Sequence, residues 1–299
     1  MLEYSNGFRH ANKAKMLRTQ DSALGILLME GDTDARFYGQ FVCDRGCRIL
    51  NCGGRSHALD AGDILAKDAF KGFVVLVDQD DWCVDRSAPK NHYLLTTDGR
   101  DLESTLLRGG MGLRLLAQYG DRSWVRKLEQ KAGKSLLELL AEWTAVVGVV
   151  RWISNREGRK LTTRDVDITD FVDFDSLAVS VKGVAEQILR QSGGGGAVPF
   201  DKAASELVQK ATDMLGKTKD KWVFCSGHDL CLALMRGLIR KFGTKESEKL
   251  TIEVFEASVR ACCGPSEFAM TELFKRMQAW ERHNAPFKLL ADGATPLRA

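Results

Sequence analysis

The sequence predicts an α/β fold in which a small parallel sheet flanked by helices is followed by a mostly helical region. Two observations lead to this prediction. Before residue 112, four short apolar runs alternate with helical patterns, which is the order of repeated strand and helix units. From Leu113 onward, apolar residues recur at i, i+3 and i+4, as they do in amphipathic helices. We therefore expect a first region at 1–112 and a helical region at 113–299.

Four strands are expected in the first region, at 24–29, 47–52, 73–77 and 93–97. The third run, Phe73–Val77, is apolar throughout, which is typical of a strand buried on both faces of a parallel sheet. Helices are expected at 8–20, 34–43 and 56–67. Asp32 is predicted to cap the helix after the first strand, and Asp101 to cap a helix after the fourth.

The helical region is predicted to contain helices at 113–118, 123–154, 176–191, 200–215, 229–242 and 246–283. Four tryptophans are expected to be core anchors: Trp124, Trp143, Trp152 and Trp280. Ser192–Pro199, with the sequence SGGGGAVP, is predicted to be a flexible linker. The run Lys221–Cys225 predicts one further short strand, which could rejoin the sheet.

Composition excludes several classes of protein. The chain of 299 residues is 44% apolar, as expected for a globular protein. It has neither a run of about 20 apolar residues nor the apolar core of a signal peptide, so we expect a cytoplasmic protein without a membrane span. Its eight cysteines are expected to be reduced thiols, because a zinc site at Cys43, Cys47 and Cys52 would lack paired spacing. The net charge of +3 is too small to indicate a nucleic-acid binder, although residues 115–299 carry 28 basic and 24 acidic side chains.

Acidic residues follow three of the predicted strands. They are Glu30 and Asp34 after the first strand, Asp78 and Asp80 after the third, and Glu103 after the fourth. The carboxyl ends of parallel strands meet at one edge of a sheet, where ligands bind in open α/β folds, so we expect these acids to converge. Asp78 and Asp80 would share a face if the strand continued through them. Asp81 follows directly and leaves open which acids of this turn are ligands.

Converging carboxylates repel one another unless a cation neutralises them. Because no thiol or paired imidazole accompanies them, the sequence favours a hard, oxygen-binding ion, Mg²⁺ or Mn²⁺. One or two such ions would activate a water and stabilise the charge that develops on a phosphodiester during in-line displacement. The alternative is that each acid is a solvated loop residue or a helix cap, which explains a single acid well but requires coincidence at successive strand ends.

The residues around these acids resemble a known family. Leu28-Met29-Glu30-Gly31 with Asp34 after a buried strand, and Val77-Asp78-Gln79-Asp80 after a later one, are similar to the motifs of the Toprim domain of topoisomerases, primases and OLD-family nucleases. Asp101-Leu102-Glu103 and Gly227-His228-Asp229-Leu230 extend the likeness to the stand-alone OLD-like Toprim nucleases of the PARIS anti-phage defence system. The resemblance implies a Toprim catalytic domain at 1–112.

The resemblance also implies a function and its partners. In that family, an ABC-type ATPase sensor holds the Toprim nuclease and releases it when a phage trigger is detected. The nuclease then cuts host nucleic acid, with transfer RNA as the implicated target. By analogy we expect a toxic defence effector that acts on RNA, and on tRNA in particular, rather than on DNA. Because the domain is small and its substrate structured, a homodimer is a plausible assembly.

Individual residues acquire roles from the same resemblance. Glu30 would bind metal or act as a general acid or base, and Asp34 would be its companion on the helix. Asp78 and Asp80 would be the main metal pair. Glu103 would complete a second metal shell.

Other residues have auxiliary roles or none. Asp81 is an auxiliary candidate, and Lys221 is one candidate for the lysine that OLD-type nucleases use near the scissile phosphate. His228 either caps and packs, the role we favour, or acts as a proton shuttle or phosphate contact. Gly133-Lys134-Ser135 looks like the end of a P-loop, but position 128 is Leu where the first glycine belongs, so any ATP use would come from a partner.

Two other functions are compatible with the same residues. A primase or other nucleotidyl transferase could use these carboxylates, although the sequence has no recognisable zinc-binding or template-binding module. A catalytically idle Toprim scaffold that binds an ATPase partner would need neither metal nor activity.

Overall fold

The computed structural model describes residues 6–194 and 198–291. Its helices are, in chain order, α1 (Asn6–Gln20), α2 (Asp32–Tyr38), α3 (Arg55–Lys67), α4 (Trp82–Asp85), α5 (Leu102–Arg108), α6 (Met111–Tyr119), α7 (Arg122–Ala132), α8 (Leu136–Arg156), α9 (Val181–Gln191), α10 (Phe200–Lys217), α11 (Gly227–Gly237), α12 (Ile252–Ala261), α13 (Pro265–Ala269) and α14 (Glu272–His283). Its strands are β1 (Gly25–Met29), β2 (Cys47–Asn51), β3 (Phe73–Val77), β4 (Leu94–Thr96), β5 (Val172–Asp173) and β6 (Ala178–Val179). A π-helical turn at Leu238–Phe242 continues α11, and 3₁₀ turns lie at Ile168–Phe171, Lys221–Phe224 and Lys245–Lys249.

In the described part of the chain, no helix has the length and apolar character needed to cross a bilayer.

The chain divides into two compact units. The first unit comprises Met1–Gln79, Ser87–Asp98 and Cys263–Ala299, and the second comprises Asp80–Arg86 and Gly99–Cys262. Because the chain passes from one unit to the other four times, the division does not follow a single boundary near residue 112.

The first unit contains the predicted sheet. Its strand order is β2-β1-β3-β4, and all neighbouring strands are parallel. Leu28 of β1 pairs with Leu50 of β2 on one side and with Val75 of β3 on the other. Every residue of β1 and β3 is buried, which satisfies their apolar sequences. The expectation of an α/β fold with a small parallel sheet flanked by helices is confirmed, and most of the remaining chain is helical.

The strand order creates a topological switch point between β1 and β3. From β1 the chain moves to β2 on one side, whereas β3 and then β4 are added on the other side. In such sheets the loops after the two central strands lead in opposite directions, which opens a crevice at their carboxyl ends. This crevice is the usual ligand site of an open α/β sheet.

An aromatic cluster packs the C-terminal segment into the first unit. The rings of Phe41 and Phe268 stack with their centroids 4.3 Å apart. Phe37 meets Phe41 edge-on at a centroid distance of 5.3 Å. The sequence predicted one continuous helical region, but α13 and α14 belong to the first unit. Helical periodicity identifies a buried face without showing which core that face joins.

The second unit is built around α8, which packs against α7, α9, α10 and α11. Ser135 caps α8 and forms a capping box with Glu138. The helix predicted at 123–154 is two helices, because Gly133 adopts a left-handed φ of 66° and ends α7. Gly133-Lys134-Ser135 is therefore a connection between helices rather than a P-loop.

The segment Lys221–Cys225 is not a strand, and the prediction that it rejoins the sheet is wrong. Lys221–Phe224 is a 3₁₀ turn that begins where the Asp220 carboxylate accepts a hydrogen bond from the Trp222 N–H at 3.1 Å. The Lys221 ammonium donates to two backbone carbonyls at the end of α10. These local hydrogen bonds outweigh the strand propensity of so short a run.

The four tryptophans expected in the core differ in burial. Trp143 and Trp280 are buried, as predicted. Trp152 is half-buried, with Nε1 donating to Asp85 Oδ1 at 3.0 Å. Trp124 is 51% exposed, so the prediction of a core anchor is wrong for this residue.

The region from 172 to 199 is only partly as expected. β5 and β6 form an antiparallel hairpin, so the helix predicted at 176–191 begins later, at Val181. Residues 195–197 of the predicted linker lie outside the described residues. Gly193 and Gly194, just before them, have φ angles of 85° and 90°, which glycine adopts without strain.

Candidate functional site

Two of the predicted acids, Glu30 and Asp78, are joined at the switch point. Glu30 follows β1 and Asp78 follows β3, the strand that pairs with β1. The Asp78 backbone N–H donates to Glu30 Oε1 at 2.9 Å. The Glu30 carbonyl accepts a second hydrogen bond from the Gly54 N–H at 2.8 Å. Backbone groups of two neighbouring loops therefore fix both the main chain and the carboxylate of Glu30.

Asp34 lies on α2, close to the same strand end. The helix starts directly after Gly31, whose extended backbone forms the N-cap. A Cβ placed on Gly31 would lie 3.7 Å from Asp34 Oδ2, so the Asp34 carboxylate reaches back over the start of the helix toward the residue after Glu30. Asp32 is the first helical residue rather than the predicted N-cap, and its Oδ1 accepts a hydrogen bond from Asn51. Glu30, Asp34 and Asp78 therefore all belong to the first unit, and Glu30 and Asp78 are joined by a hydrogen bond.

Asp80 does not continue β3, so the condition under which it would share a strand face with Asp78 is not met. The strand ends at Val77, and Asp80 has a left-handed φ of 46°. Asp80 also belongs to the second unit, where its backbone N–H donates to the Arg100 carbonyl at 2.8 Å. The alternation of side chains along a strand therefore does not apply to this pair.

Asp81 is held in an ion pair. Its Oδ1 lies 2.6 Å from Arg100 Nη2, and its Oδ2 accepts a hydrogen bond from Asn155 Nδ2 at 2.8 Å. Burial alone would raise the pKa of Asp81, but the hydrogen bond from Asn155 and the charge of Arg100 lower it. The Arg100 side chain is only 4% exposed, so Asp81 is the carboxylate that neutralises a buried guanidinium.

Glu103 also faces an arginine in the second unit. It lies in the first turn of α5 and forms an ion pair with Arg260 of α12. Burial, followed by the charge of Asp101, raises the pKa of Glu103. Asp101 caps α5 as predicted, in a capping box with Ser104, and its carboxylate also accepts from the Gly227 N–H at 2.8 Å. The partners of Glu103 are those of a structural ion pair.

Neither of the two arginines in these pairs was predicted from the sequence as a functional or structural partner of the acids. Arg100 lies four residues after β4, between Asp98 and Asp101, and this position near a strand end is the one signal that could have drawn attention to it. Its partner Asp81 lies 19 residues earlier, which no local pattern reveals. Arg260, on a helix far along the chain, offers no such signal.

His228 bridges two acids, which supports the structural role favoured for it. Its Nδ1 lies 2.7 Å from Glu256 Oε1, and its Nε2 lies 3.1 Å from Asp165 Oδ1. The hydrogen bond with Glu256 is the main cause that raises the pKa of His228 to about 9. An imidazolium that donates from both nitrogens ties α11 to α12 and to the loop that contains Asp165.

This pKa shift predicts a pH-dependent stability. Because the folded-state pKa lies above the ordinary value of 6.5, the contribution of His228 is complete below pH 6.5 and is lost as the pH rises through about 9. The His228→Gln variant should show a flatter decline in the free energy of unfolding across that range. We expect a difference of about 1 kcal/mol or less, because the ring is partly solvated. Urea unfolding at pH 6, 7.5 and 9 measures it, and parallel declines in the two proteins would contradict the assignment.

The donor atoms at the switch point fit a hard cation. Glu30, Asp34 and Asp78 supply carboxylate oxygens, whereas all eight cysteines are free thiols. Among the residues that the structure describes, no three His, Cys, Asp or Glu side chains are arranged as a metal site. Mg²⁺ usually keeps several waters and takes only one or two protein carboxylates together with substrate phosphates.

Neither a protein-family model nor a curated protein sequence matches this chain.

Proposed function

We propose that the protein is a metal-dependent nuclease of Toprim type that hydrolyses phosphodiester bonds in RNA. The observation that carries this proposal is the pairing of Glu30 and Asp78 at the switch point, with the Asp78 N–H bound to Glu30 Oε1 at 2.9 Å. Open α/β sheets bind ligands at this position. Carboxylates held there by backbone groups are suited to a divalent cation.

Glu30, Asp34 and Asp78 are the residues that would hold Mg²⁺ or Mn²⁺. When bound, the ion supplies an activated water and stabilises charge on the phosphodiester. The Asp78 amide binds the Glu30 carboxylate and the Gly54 amide binds the Glu30 carbonyl, so both the side chain and the main chain of Glu30 are held by backbone groups. A carboxylate fixed in this way is also available to accept or return a proton.

The remaining predicted ligands contribute less to this proposal. Asp81 and Glu103 are paired with Arg100 and Arg260, and binding a cation would require each to leave its guanidinium unpaired, which in Arg100 is buried. Asp80, which directly follows the first unit, remains a proposed ligand from the resemblance alone. The tRNA substrate, the ABC-type ATPase partner, the homodimer and the role in anti-phage defence rest on the same resemblance.

Cation dependence is the direct test. Purified protein should cut single-stranded RNA and tRNA with Mg²⁺ or Mn²⁺ and should not cut in EDTA. Gel analysis of labelled RNA and of DNA of the same sequence measures both activity and preference. Equal cutting in EDTA would overturn the metal-dependent assignment. No cutting with any cation, together with no calorimetric signal for Mg²⁺ or Mn²⁺, would favour the idle scaffold, and nucleotide incorporation would favour a transferase.

A further inference from the structure

Helix α7 presents an exposed face that carries positive charge and no negative charge. The exposed residues of this helix are Arg122, Ser123, Trp124, Arg126, Lys127, Gln130 and Lys131. Four of them are cations and none is a carboxylate. Leu128, one helical turn after Trp124, is buried in the second unit. The surplus of basic residues after residue 114 is thus concentrated, in part, on one side of one helix.

The acid that precedes α7 and the acid within it both accept hydrogen bonds at helix ends. Asp121 caps α7, where its Oδ1 accepts hydrogen bonds from the Ser123 and Trp124 N–H groups at 2.8 and 3.2 Å. Glu129 Oε1 accepts a hydrogen bond from the Leu136 N–H at the start of α8, at 3.0 Å. Capping therefore explains both acids, but it does not explain the cations.

On other surface helices of the same unit, exposed cations form ion pairs with carboxylates of the same helix. On α9, Arg190 pairs with Glu186 at 2.8 Å, and Lys182 lies 3.7 Å from the same carboxylate. On α10, Lys210 pairs with Glu206 at 2.7 Å. An ordinary solvated helix gains a few tenths of a kcal/mol from each such pair. On α7, by contrast, none of the four exposed cations forms an ion pair with a carboxylate of the described residues.

Trp124 gives this face a second property. Its indole is 51% exposed, and Lys127 Nζ lies 5.0 Å from the ring centroid. An exposed aromatic ring beside a cation, on a helix that carries further exposed cations, suits single-stranded nucleic acid, because bases stack on the ring and phosphates meet the charges. Lys131 donates to the Phe174 carbonyl at 3.4 Å, which leaves the other three cations and the indole to contact a ligand.

We propose that this face of α7 binds an unpaired segment of nucleic acid, with Trp124 stacking on a base and with Arg122, Arg126 and Lys127 contacting phosphates. The inference rests on the proposed function in that it takes nucleic acid to be the substrate. It adds a binding surface that belongs to the second unit, whereas the proposed metal-binding carboxylates belong to the first unit. An acidic peptide would use the cations but would leave the exposed indole without a role.

The test measures binding in EDTA, where the proposed nuclease does not cut. Anisotropy of a fluorescein-labelled, unstructured oligoribonucleotide gives the affinity of each variant. We expect Trp124→Ala to weaken binding about 5- to 150-fold, the range for loss of one stacked base, and Trp124→Phe to restore most of it. Arg126→Ala with Lys127→Ala should lower the slope of log affinity against log salt by about 1.4, from two lost phosphate contacts.

Lys182→Ala with Arg190→Ala on α9 is the matched control, since it removes two exposed cations of the same unit that already pair with Glu186. It should bind RNA nearly as the wild type does. All variants should keep the wild-type melting temperature, because the altered side chains are exposed. Unchanged affinity in Trp124→Ala, or an equal loss in the α9 control, would overturn the inference. Binding to vesicles of anionic lipid without binding to RNA would also overturn it.

The experiments distinguish failure of the α7 inference from failure of the nuclease proposal. Glu30→Gln should bind RNA in EDTA with wild-type affinity, whether or not it cuts. If Trp124→Ala cuts RNA with an unchanged KM, the α7 inference fails while the nuclease proposal stands. If Trp124→Ala loses binding but no variant ever cuts, the binding surface stands and the nuclease proposal fails.

Discussion

The Glu30→Gln variant should fold like the wild type and cut RNA about 10²- to 10⁴-fold more slowly, the range for loss of a general acid or base. Glutamine keeps an oxygen at the position that accepts the Asp78 N–H, so the link between the loops after β1 and β3 persists. What disappears is the negative charge that would bind the cation and exchange a proton. Initial rates at saturating Mg²⁺, with a thermal melt for folding, measure the effect.

Asp32→Asn is the matched control for this experiment. Asp32 lies two residues further along the chain, and its carboxylate already bonds to Asn51. Its loss of charge should change the rate less than 10-fold, because this side chain is outside the proposed metal set. Full activity in Glu30→Gln would remove the basis of the proposed function. Equal losses in both variants would point instead to a general electrostatic effect.

The Asp81→Asn variant should lose about 3 to 5 kcal/mol of unfolding free energy, the cost of leaving a buried charge without its partner. Arg100 is 4% exposed and would keep its charge, because a guanidinium does not deprotonate at neutral pH. Asp78→Asn, three residues earlier, should cost much less stability but should impair cutting. Urea unfolding of both variants therefore separates the structural acid of this turn from the proposed metal ligand.

A double variant tests the cause of that loss. Asp81→Asn with Arg100→Met removes both charges, and we expect it to recover most of the lost stability. The pH dependence provides a second check. The pKa of Asp81 is lowered in the folded state, so its contribution is present above the unfolded value of about 3.9 and is lost as the pH falls through the folded pKa. If the double variant is as unstable as Asp81→Asn, the ion pair is not the source of the effect.

The parallel sheet could be predicted because its signals are local. Phe73–Val77 is a strand with the predicted bounds, since an unbroken apolar run bounded by polar residues suits a strand buried on both faces. Glu30 and Asp78 could be placed at strand ends for the same reason. Their hydrogen bond could not be predicted from local signals, because it depends on the strand order that brings β1 and β3 side by side.

The features that could not be predicted from the sequence depend on tertiary contacts. The left-handed backbone of Asp80 takes that residue off the line of β3, and aspartate tolerates this conformation too readily for sequence to reveal it. Trp124 has the spacing of a core residue, four positions before Leu128. Spacing, however, does not show how far the core extends along a helix, and the packing leaves the indole half exposed.

The aromatic cluster of the first unit also affects when this unit can fold during synthesis. Phe37 and Phe41 are synthesised early, but their partner Phe268 comes after the whole second unit. A backbone bridge from Val42 to Leu290 lies later still. A ribosome therefore releases the strands that carry Glu30 and Asp78 long before it supplies the residues that complete their core. The first unit, which holds Glu30 and Asp78, is therefore completed only after the whole second unit has been synthesised.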